Sequence, residues 1–351
     1  MKPLISFAIP TYNFGAFIGE TINTIETHTN TLTEDQFEIV VLDGGSNDQT
    51  DEVMEELGSR YRNIRYIKNS GRGGIDKDLN SVAEAAQGEF IWLFSADDLL
   101  VPGWDTQLAP LLSGQSDIVL VPAVLCDFQM KPLRPNPIFT LHDDTDPITF
   151  DFTSDDSTLD HYLSNIATLE AMFSFMSAIV IKRSLWHSVP VREDYFGTCW
   201  AHCARLMPLF HSNLTITYLN RYLINKRGDN DSFMEHGFVN RIGIAVNGWE
   251  RIINEFFDNS NHRQVLFSAL RKDMPLLLFI YAKVTANAKD EVNKLDRMLD
   301  TLYKDIQLPF RKRLYFLIYK AMPTSRLLNR FIQPLMPHLK RLRHKLKSAF
   351  T

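Results

Sequence analysis

Three cysteines are all that 351 residues contain, and Cys126, Cys199 and Cys203 show neither C-x-x-C pairs nor metal-finger spacing. An odd number of thiols so spaced fits a reducing compartment better than a disulfide framework. Cys199 and Cys203, four residues apart, are expected one turn apart on a helix. Long apolar runs are missing too: the richest, "MPLLLFIYAKV" and "LYFLIYKAM", fall well short of the ~20 residues that cross a bilayer. The start, "MKPLISFAIPTYN", lacks the apolar stretch and cleavage site of a secretory signal. The protein is therefore expected to begin inside the cell, with the sequons at Asn213 and Asn230 chance matches. Glycine-rich phosphate loops are absent as well, since "PTYNFG" and "GRGG" fit neither GxGxxG nor GxxxxGK[ST]. A phosphate group here must be neutralised by something other than a glycine cradle. Acidic residues, finally, vanish from residues 311–351, which hold eleven Lys/Arg and no Asp or Glu, leaving 26 basic against 42 acidic residues before them. An acidic body with no nucleic-acid fold signature argues against a nucleic-acid binder.

What is present is organised early in the chain, which at 45% hydrophobic is long enough for two domains. "LISFAIP" is a short apolar run ended by proline, and after it Phe17, Ile18, Ile22 and Ile25 fall at helical spacing. "FEIVVLDGGSNDQTDEVMEELGSRY" repeats the plan: a β-branched strand over residues 37–42, a glycine loop, then a helix that Asp48 or Thr50 can cap. "IRYIKN" reads as a third strand, "GIDKDLNSVAEAAQG" as a helix closed by Gly88, and "FIWLFS" as a fourth strand. Strands alternating with helices predict an α/β fold, a mostly parallel sheet covered on both faces, with ligands at the carboxyl ends of the strands.

On that plan Thr11, Asp43 and the adjacent Asp97 and Asp98 each follow a strand and open on one rim. Two carboxylates pushed out of a buried strand need a cation or other donors to hold them. Mg²⁺ or Mn²⁺ meets that need, because these hard cations take carboxylate oxygens and bridge diphosphate oxygens. A nucleotide diphosphate is the expected guest. Plainer readings stand beside this one: Asp43 before Gly-Gly-Ser as a turn residue, Asp97 or Asp98 as a helix cap, Tyr12 as a core aromatic, Arg72 and Lys77 as solvated charges.

"SFAIPTYN", "EIVVLDGGSNDQT", "GIDKDLN" and "GEFIWLFSADDLLVPGW", in that order, resemble successive motifs of the family 2 glycosyltransferases with the GT-A fold. "GIDKDLN" with "WLFSADDLL" is more similar still to the abequosyltransferase-like subgroup, which transfers dideoxyhexoses onto O-antigen units. The resemblance is specific over about residues 4–105 and extends to about 220. It implies a glycosyltransferase, with Pro10, Thr11, Tyr12 and Asp43 lining the nucleotide pocket and Asp97 with Asp98 at the metal motif, Asp97 also meeting the nucleotide. Ser95 stands where many relatives carry an acidic residue, and Asp78-Leu79-Asn80 where many carry Ala-Arg-Asn. Arg72 or Lys77 then replaces the lost arginine as a phosphate contact. The alternative on the same fold is a sugar-nucleotide or glycan-binding module without catalysis.

Residues 176–189, "MSAIVIKRSLWHSV", read as a strand followed by a short helix, and "REDYFGTCWAHCARLMPLF" follows. In the resembled family this stretch supplies the acceptor base, for which Glu193, Asp194 and His202 are the candidates. His202 is also readable as a packing histidine. The family generally inverts, whereas the subgroup's linkages imply retention, in which case these groups orient the acceptor. The expected division is a GT-A domain over 1–220, a helical region over 221–305 and a basic amphipathic tail over 306–351. In that tail Leu339, Leu342 and Leu346 form a stripe beside Lys340, Arg341, Arg343, Lys345 and Lys347, with Pro323, Pro334 and Pro337 dividing it into short helices. The expected partners are a CDP-, UDP-, GDP- or dTDP-linked donor, a lipid-linked saccharide acceptor and an anionic membrane surface met through residues 311–351. An intramolecular helix, or a homo-oligomer contact that neutralises the acidic body, is the other use of the tail. The expected place is the cytoplasm, peripheral to the inner face of the cell membrane.

Overall fold

The computed structural model describes residues 2–141, 147–152, 157–286, 288–304 and 306–322, in two compact units, Met1–Arg227 and Gly228–Thr351. The first unit opens with the expected alternation: β1 (Ile5–Thr11), α1 (Gly15–Thr27), β2 (Phe37–Asp43), α2 (Thr50–Arg60), β3 (Ile64–Lys68), α3 (Ile75–Ala85) and β4 (Phe90–Leu93). It continues with β5 (Leu99–Leu100), α4 (Trp104–Leu112), β6 (Ile118–Leu120), β7 (Ala123–Cys126), β8 (Pro132–Asn136), β9 (Ile148–Asp151) and α5 (Ser157–Ser164). β10 (Ile179–Lys182), α6 (Arg183–Ser188), α7 (Ala201–Leu206), β11 (Thr215–Tyr218) and β12 (Ile224–Lys226) complete it.

Every residue of β1, β2 and β4 is buried, which is why these strands read as near-continuous apolar runs rather than alternating ones. They lie side by side in an eight-stranded sheet of order β3-β2-β1-β4-β10-β6-β11-β9. The first four are parallel, with Thr11 opposite Asp43 and Ala8 opposite Leu93, so their carboxyl ends share a rim. β10 then enters antiparallel between β4 and β6. A second sheet, β5-β12-β7-β8, pairs Leu99 and Leu100 with Asn225 and Ile224. That pairing brings the end of β12 onto the loop that follows β4.

Three local expectations change. α3 ends at Ala85, and Gly88 is needed for close approach instead: a Cβ there would meet Ser6 N at 2.7 Å and Ile5 C at 2.8 Å. Cys199 and Cys203 do not share a helix, because Cys199 has φ 72° in the turn before α7 while Cys203 lies inside it. At the start of α2 the N-cap is Gln49, whose side chain makes no capping bond, rather than Asp48 or Thr50; Asp48, just before it, accepts from Thr50 N at 3.1 Å while its other oxygen takes Gly15 N at 3.0 Å.

The second unit is helical: α8 (Phe238–Phe256), α9 (Ser260–Asp273), α10 (Leu276–Thr285), α11 (Lys289–Tyr303) and α12 (Phe310–Ala321). Among the described residues no helix is long and apolar enough to cross a membrane. The expected stripe of Leu339, Leu342 and Leu346, its flanking cations and the three tail prolines lie outside the described residues.

Candidate functional site

The rim is assembled from short loops that hold one another. Asn13, at φ 56°, donates its backbone N–H to Ser46 Oγ at 2.7 Å and accepts from Asn47 N at 2.9 Å, locking the loop after β1 to the loop after β2. Pro10, opposite Leu42, is the next-to-last residue of β1 and has no N–H to donate. Thr11, beside it, keeps a buried hydroxyl that has no hydrogen-bond partner among the described residues. Tyr12 carries the Arg72 guanidinium over its ring at 4.4 Å from the centroid. Gly45, at φ 84°, passes within contact of Gly71, so the loop carrying Arg72 is pressed against the loop after β2.

Asp43 is fully buried and accepts three hydrogen bonds, from Ser46 N at 2.8 Å, Ser46 Oγ at 2.7 Å and Tyr66 Oη at 2.6 Å. A carboxylate has about four acceptor directions, so these three bonds nearly satisfy it. The Tyr66 phenol lies between Asp43 and Asp51, and burial together with those two carboxylates pushes its pKa far up. Asp78 packs against Gly44 and Gly73; burial and the Asp43 charge raise its carboxyl, with Arg72 opposing.

Past β4 the two aspartates have separate surroundings. Asp98 is 2% exposed and has both oxygens engaged, Oδ2 by Ser177 Oγ at 2.6 Å and Oδ1 by Arg227 N at 3.1 Å. Burial and the neighbouring Asp97 charge push it up to about 7. Asp97 accepts from Ser95 Oγ at 2.5 Å, and its carbonyl takes Arg227 Nε at 3.1 Å. Arg227 also reaches Glu20 Oε2 at 2.6 Å and the Phe128 carbonyl at 2.7 Å, so one guanidinium ties β12 to this loop and to α1. Next to it Lys226 pairs with buried Glu170 at 3.2 Å, and Glu170 Oε2 has no hydrogen-bond partner among the described residues. Sequence reasoning misses Ser177, Glu170, Lys226 and Arg227, because nothing local in their segments marks them.

Mg²⁺ beside a diphosphate needs only one or two carboxylates, the rest of its shell being phosphate and water. Asp97 fits that donor set, whereas Asp98, with both oxygens engaged by Ser177 and Arg227, stands behind it. Among the described residues no group of three His, Cys, Asp or Glu side chains could form a fuller cage.

The expected acceptor segment is held by a residue that sequence reasoning did not single out. Asp76, in the first turn of α3, accepts from Gly197 N at 2.8 Å, Cys199 N at 2.9 Å and Ala201 N at 3.0 Å. Gly197 and Cys199 both take positive φ to present those donors. His202 is buried with Nε2 at 3.0 Å from the Phe173 carbonyl; desolvation lowers its pKa against the Asp76 charge. The neutral ring that donates through Nε2 keeps Nδ1 as an acceptor. His202 lines a cleft with Asp76, Asn80, Arg192, Phe196 and Arg205. Asp194 and Glu193 share an exposed turn beside Arg192, which holds Asp194 with two bonds of 2.9 and 2.8 Å. Lys77 leans towards this side, 5.9 Å from the Phe196 ring centroid, and so parts company with Arg72.

The family model of Glycosyl transferase family 2 matches residues 6–177. Among characterised proteins, the chain is 28% identical over 295 residues to the abequosyltransferase RfbV of Salmonella typhimurium, covering 83% of this chain and 87% of that one. In fold it is similar to S. aureus TarS 1-349 in complex with UDP, at a TM-score of 0.57 and 17% identity over 87% of this chain and 82% of the other. It is also similar to the mannosyltransferase PcManGT of Pyrobaculum calidifontis in complex with GDP-Man and Mn²⁺, at a TM-score of 0.52 and 13% identity over 100% of this chain and 87% of the other. The GT-A-like neighbours agree with the mixed sheet described above.

Proposed function

We propose that the chain is a family 2 glycosyltransferase that moves a dideoxyhexose such as abequose from a nucleotide diphosphate to a hydroxyl of a lipid-linked saccharide. The setting is O-antigen-like surface glycan synthesis at the cytoplasmic face of the membrane. The likeness to RfbV over most of both chains supports the choice of sugar. One observation carries the reaction class: Thr11, Tyr12, Asp43 and Asp97 stand at the carboxyl ends of three neighbouring parallel strands, on the rim where such folds bind ligands.

In this reading Thr11, Tyr12 and Asp43 take the base and ribose, Asp43 accepting from a ring N–H or an exocyclic amine. Arg72, stacked on Tyr12, meets the diphosphate, and Lys77 supplies charge nearer the acceptor. Asp97, with Asp98 anchored behind it, holds Mg²⁺ or Mn²⁺, which when bound offsets charge developing on the leaving diphosphate. Asp76 fixes the 197–201 segment so that His202 stays at the wall of the cleft. For an inverting reaction His202 or Asp194 accepts the acceptor proton; for a retaining one they orient the hydroxyl.

The test is transfer and hydrolysis measured with CDP-, UDP-, GDP- and dTDP-linked sugars, with and without Mn²⁺. Turnover of one donor class, lost on chelation, is the expected result. Failure of every nucleotide diphosphate to bind in calorimetry would defeat the proposal.

A further inference from the structure

Helix α12 turns its apolar side outward. Phe310, Leu314, Leu317 and Ile318 are 84, 48, 55 and 40% exposed, while Tyr319 is fully buried. At about 100° per residue these four fall within one arc of about 100°, and Tyr319 lies on the opposite side. That opposite side is fastened: Lys283 of α10 stands 4.3 Å from the Tyr319 ring centroid and donates to its carbonyl at 2.9 Å, and Lys320 meets Asp300 of α11 at 3.1 Å. With Ile306, the stretch holds five of the seven exposed large apolar side chains among the described residues. Scattered exposed leucines need no explanation, but a single stripe on a helix docked by its other face does.

Charge decides among the occupants. α12 carries Arg311, Lys312, Arg313 and Lys320 and no acid, and residues 323–351 add seven more cations, again without an acid. A second copy laid face to face would set cations against cations, and so would the following segment folded back over the stripe. An anionic lipid surface satisfies both features at once, taking the apolar stripe at the acyl boundary and the cations among the headgroups. We propose that the outward face of α12 seats this protein on an anionic bilayer. The proposal rests on the reading above in one respect, the lipid-linked acceptor that makes a membrane the workplace.

The experiment is co-sedimentation of the full chain with vesicles of phosphatidylcholine, with and without phosphatidylglycerol, at low salt. The expected result is binding to the phosphatidylglycerol vesicles, weakened about tenfold or more by Leu314→Glu with Leu317→Glu, two exposed positions whose change should leave thermal melting and nucleotide affinity as in the wild type. A double variant that sediments like the wild type would overturn the proposal, as would wild type that ignores anionic vesicles. Light scattering that shows a dimer lost in the double variant would assign the stripe to a second copy and also overturn it. Nucleotide affinity by calorimetry reads the catalytic proposal separately: no affinity in the wild type would sink that reading and leave the vesicle result standing.

Discussion

Asp97 and Asp98 are neighbours in the chain with different tasks. Asp98 accepts from Ser177 and from the Arg227 backbone, so removing its carboxylate leaves two buried donors without partners, at a cost of about 1–3 kcal/mol. Asp97 lies at the rim, where a carboxylate holding a metal adds little to the core. Asp97→Asn should therefore cut turnover by about two orders of magnitude or more with melting close to wild type, whereas Asp98→Ala should lower both. Parallel thermal melts and donor turnover separate the two, and near-normal turnover in Asp97→Asn would reject its metal role. The pair itself is legible in the sequence, because two adjacent carboxylates with two residues between them and Phe-Ile-Trp-Leu-Phe contradict a buried strand. Their partners were not legible, since Ser177 and Arg227 lie 79 and 129 residues away from Asp98. Asp43 shows the same limit from the other side: its turn with Ser46 could be read locally, while the Tyr66 hydroxyl on its other oxygen could not.

Among elements, the strands nearest the site were the readable ones. β1, β2 and β4 are buried throughout, β1 with Pro10 next to its end and β2 closing on Asp43 before Gly44, so apolar run and turn chemistry agree for these two. β10 was readable as a strand but not as an antiparallel one inserted between β4 and β6, because orientation is set by pairing across the sheet rather than by composition. The second sheet escaped for a related reason: β5 has two residues and β12 three, too few for periodicity to show. Gly88 reads in the sequence as a helix terminator, yet its work is to let the chain pass against β1, where it donates to Ser6 Oγ at 2.7 Å. A Cβ there would press on the Ser6 and Ile5 backbone, which cannot swing away as a side chain can. Gly88→Ala should accordingly destabilise by about 1–3 kcal/mol, read as a lower urea midpoint. An unchanged midpoint would mean that β1 shifts freely.

For the whole molecule, the chemistry-bearing residues are concentrated in one of the two units. Pro10, Thr11, Tyr12, Asp43, Arg72, Lys77, Asp97, Asp98 and His202 all belong to Met1–Arg227, and the helices of Gly228–Thr351 carry the stripe on α12 instead. This is also why the sequence spoke clearly at its start and faintly later, since helical packing leaves periodicity but no chemical motif. A ligand that binds only the folded rim raises the free energy of opening it by about 2.7 kcal/mol at a hundredfold excess over Kd, whereas segments that open without releasing the ligand gain nothing. Hydrogen exchange with the cognate nucleotide diphosphate and Mn²⁺ should thus slow in peptides covering residues 10–16, 42–50 and 93–99, where Asn13 N and Ser46 N are already bonded within the rim. Peptides from α8 to α11 should exchange as before. Equal slowing in those helices would place part of the nucleotide site in the second unit, and no slowing at the three loops would remove it from the rim altogether.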